Sequence, residues 1–192
     1  MSSPARGPDA PPTDAPGSDL HRLSASVDRL TEHASDWSTG RLFDEGLDLV
    51  RDVSWADACA LLRVEADQVT VVHARPTTPS RCPEDPDAPL PPVDPTVPTT
   101  WFPWGLAPIQ ADRFVLIDDA RALPASPTGT ATLGSLGVRS CLHLPLRQRG
   151  RTGGALQVFW TGPRLEWDDD RGRLLRTLGR FLLSCDGRTP RV

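Results

Sequence analysis

The sequence contains no lysine, no asparagine and no tyrosine, and all 21 of its basic residues are arginine. The missing lysine excludes Schiff-base catalysis and a phosphate-binding loop of the G-x-x-x-x-G-K-[ST] type, because both place an ammonium group at the reacting or bound atom. A bias this strong looks like codon pressure from a GC-rich genome, and a bacterial source is the expectation. Long apolar runs are also absent. None approaches the roughly 18 residues that a membrane-spanning helix needs. The N-terminus lacks the basic-then-apolar profile of a secretory signal. The chain is therefore expected to be cytoplasmic, with no membrane contact. Nor is there an excess of positive charge: the formal net charge is −4 and the isoelectric point is near 5.5. That argues against a nucleic-acid partner, since such domains usually have isoelectric points above about 9. Cysteine is sparse and shows no C-x-x-C spacing. Of Cys59, Cys82, Cys141 and Cys185, three lie in apolar stretches that suit buried free thiols rather than disulfides.

With 192 residues the chain has room for one domain that can fold on its own core. Residues 1–18 carry no large apolar side chain beyond Met1 and are expected to be a disordered tail. Leu20, Leu23, Val27 and Leu30 recur at helical spacing after a capping Ser18 or Asp19. A second amphipathic helix is expected from about Thr39 to Val53. Ala58 to Val64 and Val69 to Ala74, separated by a short polar turn, predict a hairpin. Residues 76–108 contain eleven prolines and are expected to form a long insertion loop, reaching to 113, without regular structure. Loops this long inside a domain are usually functional or disordered. Phe114 to Ile117 predicts a short strand, with Asp118-Asp119 as a helix start beyond it. A second hairpin, Ser140 to Leu146 with Ala155 to Trp160, and a terminal helix, Asp168 to Ser184, complete the domain at about residue 187. Residues 188–192 form a short tail.

Three pieces of this pattern carry a family resemblance: Leu136-Gly137-Val138-Arg139-Ser140, Leu144-Pro145-Leu146 and Gly153-Gly154-Ala155-Leu156-Gln157-Val158. They follow the order of a glycine-rich helix end, a strand with a Pro-Leu exit, a polar turn, a glycine-led strand and a final helix. This resembles the C-terminal half of a GAF domain. The resemblance implies an α/β (α+β), PAS-related fold with an antiparallel sheet of about five or six strands. It places the N- and C-terminal helices on one face and a ligand face of loops and short helices on the other. It also implies a sensory or regulatory role with a small-molecule ligand and a homodimer formed through the terminal helices. With no kinase, cyclase or DNA-binding segment after Val192, output is expected to pass through oligomerisation or a separate signalling protein. The other possibility is that the chain is a piece of a longer sensor.

Strand alternation puts Cys141 with His143, and Gln157 with Phe159, on a mixed polar and apolar face. Pockets combine an apolar lining with a few polar groups, so this face is the candidate ligand wall. Cys59, His73 and Phe114 are grouped with it, and the cluster Trp101, Phe102, Trp104 is a candidate lid or partner anchor. The alternatives are a filled core and a loop that tucks its own rings away. No metal is expected, because Cys141-x-His143 with His73 and Cys59 matches no zinc spacing. Catalysis by a Cys-His pair would need a third group to orient the ring, and none is visible in the sequence. The methionine sulfoxide reductases of this fold use closely placed loop cysteines, whereas here Cys82 is alone. No cofactor is expected. Bilin attachment would call for a cysteine on a helix or loop, haem for an imidazole aimed into the cavity, and cyclic nucleotide for an Asn-Lys motif. Phe43-Asp44-Glu45 reads as a solvated helix face. Arg147, Arg149 and Arg151 flank Gly150 and read as a soluble hairpin tip, with an anion or acidic partner as the functional alternative.

Overall fold

In the computed structural model, residues 16–65, 68–76, 96–98, 106–123, 137–163 and 167–186 are described. The chain opens with helix α1 (Pro16–Glu32), followed by a turn of 3-10 helix at His33–Ser35. Helix α2 (Thr39–Ser54) is started by Ser38, whose hydroxyl accepts the Arg41 amide at 3.3 Å and satisfies a first-turn donor. It ends at Trp55, in the left-handed region with φ 48°. Strands β1 (Ala58–Val64) and β2 (Gln68–Pro76) form the first hairpin. Strand β5 (Ser140–Gln148), strand β6 (Arg151–Trp160) and helix α4 (Asp169–Cys185) close the domain. Asp168 caps α4 by accepting the Asp170 amide at 2.9 Å, and the acidic first turn suits the positive end of the helix dipole.

The expected proline-rich loop contains two short elements, strand β3 (Thr96–Pro98) and helix α3 (Leu106–Gln110). Proline is tolerated in both for a local reason. Strand β3 lies at the sheet edge, where a missing N–H need not break a ladder, and Pro108 falls in the first turn of α3, where the amide has no helical acceptor. Strand β4 (Val115–Ile117) runs as expected. Beyond it only a 3-10 turn forms, Ala120–Ala122, capped by the Asp119 carboxylate on the Arg121 amide at 3.0 Å.

The sheet has six antiparallel strands in the order β3-β2-β1-β6-β5-β4. On one face Leu61, Leu142, Leu146 and Leu156 meet Leu42, Leu47 and Val50 of α2 and Leu175, Leu178 and Leu182 of α4, all fully or almost fully buried. Burying each such leucine is worth roughly 2 kcal/mol, so the helical layer is where most of the fold's stability resides. The other face carries two smaller clusters. One lies under Ile109 of α3, with Ala60, Leu62, Val64, Val69 and Ala155. The other lies under the 3-10 turn, with Ile117, Ala120 and Cys141. Among the described residues, no helix is long and apolar enough to cross a membrane.

Two irregularities set which side chains share a face. In β2 the register passes from Leu62↔Val71 to Leu61↔His73, leaving Val72 as an extra residue. In β6 it passes from Arg147↔Thr152 to Leu146↔Gly154, leaving Gly153 extra. Each bulge inverts the faces of everything beyond it.

Candidate functional site

On the face away from the helices, between the two apolar clusters, a chain of polar side chains crosses from β6 to β5. His143 stands directly opposite Gln157 in the ladder. The Gln157 carboxamide N–H donates to His143 Nδ1 at 2.8 Å. That leaves the ring proton on Nε2, which donates to the Cys141 sulfur at 3.3 Å. Phe159 stands edge-on to the imidazole, ring centroids 6.4 Å apart, and on the other side Val115 of β4 pairs with His143. His143 and Cys141 are 0 % exposed and Gln157 is 4 % exposed.

Burial without a neighbouring ion disfavours the charged form of each group. It pushes the His143 imidazole down to about 3 and the Cys141 thiol up to about 12. At neutral pH the pair is therefore neutral thiol and neutral imidazole. Gln157 is the ring-orienting third group that sequence reasoning did not find, because its position opposite His143 depends on the bulge at Gly153. Even so, an oriented ring beside a protonated thiol is a hydrogen-bonding surface rather than an activated nucleophile.

Cys59 and His73 do not join this group. Cys59 pairs with Val158 and so points into the helical core, where its thiol donates to the Leu47 carbonyl at 3.3 Å and burial raises its pKa. Simple alternation from Val69 and Val71 would place His73 on the ligand side, but the extra Val72 turns it to the helices. There it lies 2.8 Å from the Asp44 carboxylate, against the Phe43 ring. Phe43-Asp44-Glu45 is consequently not a solvated face throughout: Phe43 is 5 % exposed, and Asp44 also faces Arg75 at 3.3 Å. Arg75 binds Asp48 with two nitrogens at 2.6 and 3.0 Å, which holds the Asp48 carboxyl below its ordinary value. This network fastens β2 to α2. Phe114 precedes β4 and is 49 % exposed. Trp101, Phe102, Trp104 and Cys82 lie outside the described residues.

The 3-10 turn that roofs Cys141 is latched to the start of β5. Arg139 donates to the Asp119 carboxylate at 3.0 Å, the Ala120 amide donates to the Arg139 carbonyl, and the guanidinium lowers the Asp119 pKa.

An antiparallel sheet with a helical layer on one side and a closed, polar-centred face on the other defines an α+β domain. Residues 38–183 match the family model of the GAF domain, and the chain belongs to that family. Solved structures agree on the fold. The chromophore-binding domain of Stigmatella aurantiaca phytochrome P1 is 17% identical with a TM-score of 0.63, over 94% of this chain and 64% of that one. The blue-light absorbing form of the Thermosynechococcus elongatus PixJ GAF domain is 16% identical with a TM-score of 0.56, over 90% of each chain. The chromophore-binding domain of the bacteriophytochrome RpBphP3 from R. palustris is 14% identical with a TM-score of 0.60, over 87% of this chain; this chain spans only 60% of that domain's length. No curated protein matches the sequence.

Proposed function

We propose that this chain is a regulatory GAF domain of the sensory kind, holding a small molecule on the sheet face away from the helices and signalling through self-association of its helical layer or through a separate protein. The observation that carries this reading is the Gln157–His143–Cys141 hydrogen-bond chain. Three polar groups stand at the centre of an otherwise apolar face, which is the composition of a ligand site. Their neutrality suits an uncharged, hydrogen-bonding occupant. Several structural neighbours are described as chromophore-binding, but Cys141 sits mid-strand with its thiol held protonated and offers no thiolate for covalent attachment. The same fact weighs against a thiol-dependent reductase. We further propose Trp101, Phe102 and Trp104 as the lid, because they connect β3 at the sheet edge to α3, which already packs on this face.

A thermal-shift screen of uncharged small molecules against the wild-type chain and Gln157→Leu tests the site. At least one compound should raise the wild-type melting temperature and lose that effect in the variant. Equal stabilisation of both proteins would place the compounds elsewhere. A second reading, a ligand-free interaction module, is favoured by the complete burial of His143 and Cys141; it predicts that no compound acts and that the chain self-associates tightly.

A further inference from the structure

A concavity lies at the end of the sheet, where the β5–β6 turn, the end of β1 and the last turns of α4 meet. It is an open groove of about 1200 Å³ lined by Arg63, Arg147, Arg149, Arg151 and Arg180. These arginines come from β1, the β5–β6 hairpin and α4, so the hairpin tip is only part of a larger basic surface that the sequence does not bring together. Glu65 and Asp186 are the acidic groups of the lining. Five arginines against two carboxylates leave an excess of three positive charges at one place on a chain whose net charge is −4.

Two of the five are already committed. Arg63 is paired with Asp186; Arg147 faces Asp112 at 3.5 Å and donates to the Gly150 carbonyl at 2.8 Å, stiffening the turn. Among the described residues, Arg149, Arg151 and Arg180 have no ion pair, and all three are exposed. The turn itself is unusual. Arg149 and Gly150 are its two central residues, both at positive φ, 49° and 84°. Glycine, asparagine or aspartate is the ordinary choice at the first of these positions, and arginine there is conformationally unfavourable. An arginine is nonetheless held at the tip, with its side chain beside the groove.

We propose that this groove is a docking site for an extended acidic peptide, a glutamate- or aspartate-rich segment of a partner protein. Charge complementarity selects the sign of the occupant, and guanidinium groups suit carboxylates because they bind them through two parallel N–H bonds. The volume exceeds the roughly 300 to 1,000 Å³ of ordinary small-molecule pockets, which suits a peptide better than a single small anion. Between the arginines, the Gln148 carboxamide offers hydrogen bonds to a peptide backbone, the Thr152 and Thr177 hydroxyls, which already donate to the Ile109 and Arg173 carbonyls, can accept from it, and the half-buried Phe181 offers an apolar contact. The site is distinct from the sheet face around His143 and does not depend on whether that face holds a ligand.

The test uses the full chain and a fluorescein-labelled decaglutamate peptide, read by fluorescence anisotropy at low and high salt. Wild-type protein should bind, more weakly at high salt, and Arg149→Glu with Arg180→Glu should weaken binding about tenfold or more. A control of equal charge change away from the groove, Arg29→Glu with Arg173→Glu, should leave it nearly unchanged. Arg149→Gly removes one guanidinium while relieving the backbone, so it should fold at least as well as wild type and still bind less peptide. No binding by wild-type protein would overturn the proposal. So would equal losses in both double variants, which would reduce it to a diffuse field, or tighter binding of a single-stranded oligonucleotide than of the peptide.

Discussion

Replacing His143 with glutamine should flatten a specific part of the stability profile. In the folded protein the imidazole, pushed down to about 3 by burial, stays neutral; in the unfolded chain it protonates near its ordinary value of 6.5. The unfolded state therefore binds a proton that the folded state refuses, and stability falls as pH falls below 6.5. Between about pH 7.5 and about pH 5 the loss amounts to about 2 kcal/mol, and it goes on growing until the pH falls below about 3. Glutamine keeps an amide that can still face Gln157 and Cys141 but does not titrate. Urea unfolding of wild type and His143→Gln across this range should give a difference in stability that narrows, or reverses in favour of the variant, by about 2 kcal/mol. The Asp48 carboxyl, lowered mainly by its hydrogen bond from Arg75, contributes stability that is present above its ordinary 3.8 and lost only as pH falls further. It is also common to both proteins and cancels. Parallel pH profiles would mean instead that His143 meets water in the folded state.

Gly154→Ala should be severely destabilising, by about 3 kcal/mol or more, since the new methyl would stand 2.3 Å from the Leu62 carbonyl oxygen and 2.6 Å from Leu183 Cδ2. Gly153→Ala, with its nearest neighbour at 3.4 Å, should cost less than about 1 kcal/mol in the same denaturant titration. Gln157→Leu removes the donor to His143 Nδ1 and should cost about 1 to 3 kcal/mol, measured by urea unfolding at neutral pH. In a Cys82→Ser background the folded chain should show no rapid reaction with a disulfide reagent at neutral pH, because Cys59, Cys141 and Cys185 are buried; a fast thiol would contradict the assignment of Cys141 as protonated and closed off. Asp48→Ala, which breaks a half-exposed bidentate pair with Arg75, should lower stability by about 1 kcal/mol or less.

Much of the element order is legible from periodicity. Helix α2, the two hairpins, β4 and α4 fall within a few residues of the sequence boundaries, because each carries a regular apolar stripe or alternation. What alternation cannot supply is the position of a bulge. The two-residue turn at Arg149-Gly150, taken alone, would set His143 opposite Leu156; the extra Gly153 moves it opposite Gln157 and creates the hydrogen-bond chain. The extra Val72 does the converse to His73, removing it from the candidate face and handing it to Asp44. In both cases the sequence shows the right residues, and long-range register decides which of them meet. Strand β3 and helix α3 were hidden by proline, whose cost vanishes at a sheet edge and in a first helical turn. The arginine groove was hidden because its members are far apart along the chain.

Whether the face around His143 holds a small molecule can be read by native mass spectrometry of the protein purified from a GC-rich host. The subunit mass should exceed that of the polypeptide by a single ligand, and that increment should be lost in folded His143→Gln and Gln157→Leu. A bare polypeptide mass in wild type would contradict it. So would an increment that survives both substitutions but disappears in Arg149→Glu with Arg180→Glu, which would put the occupant in the arginine groove instead.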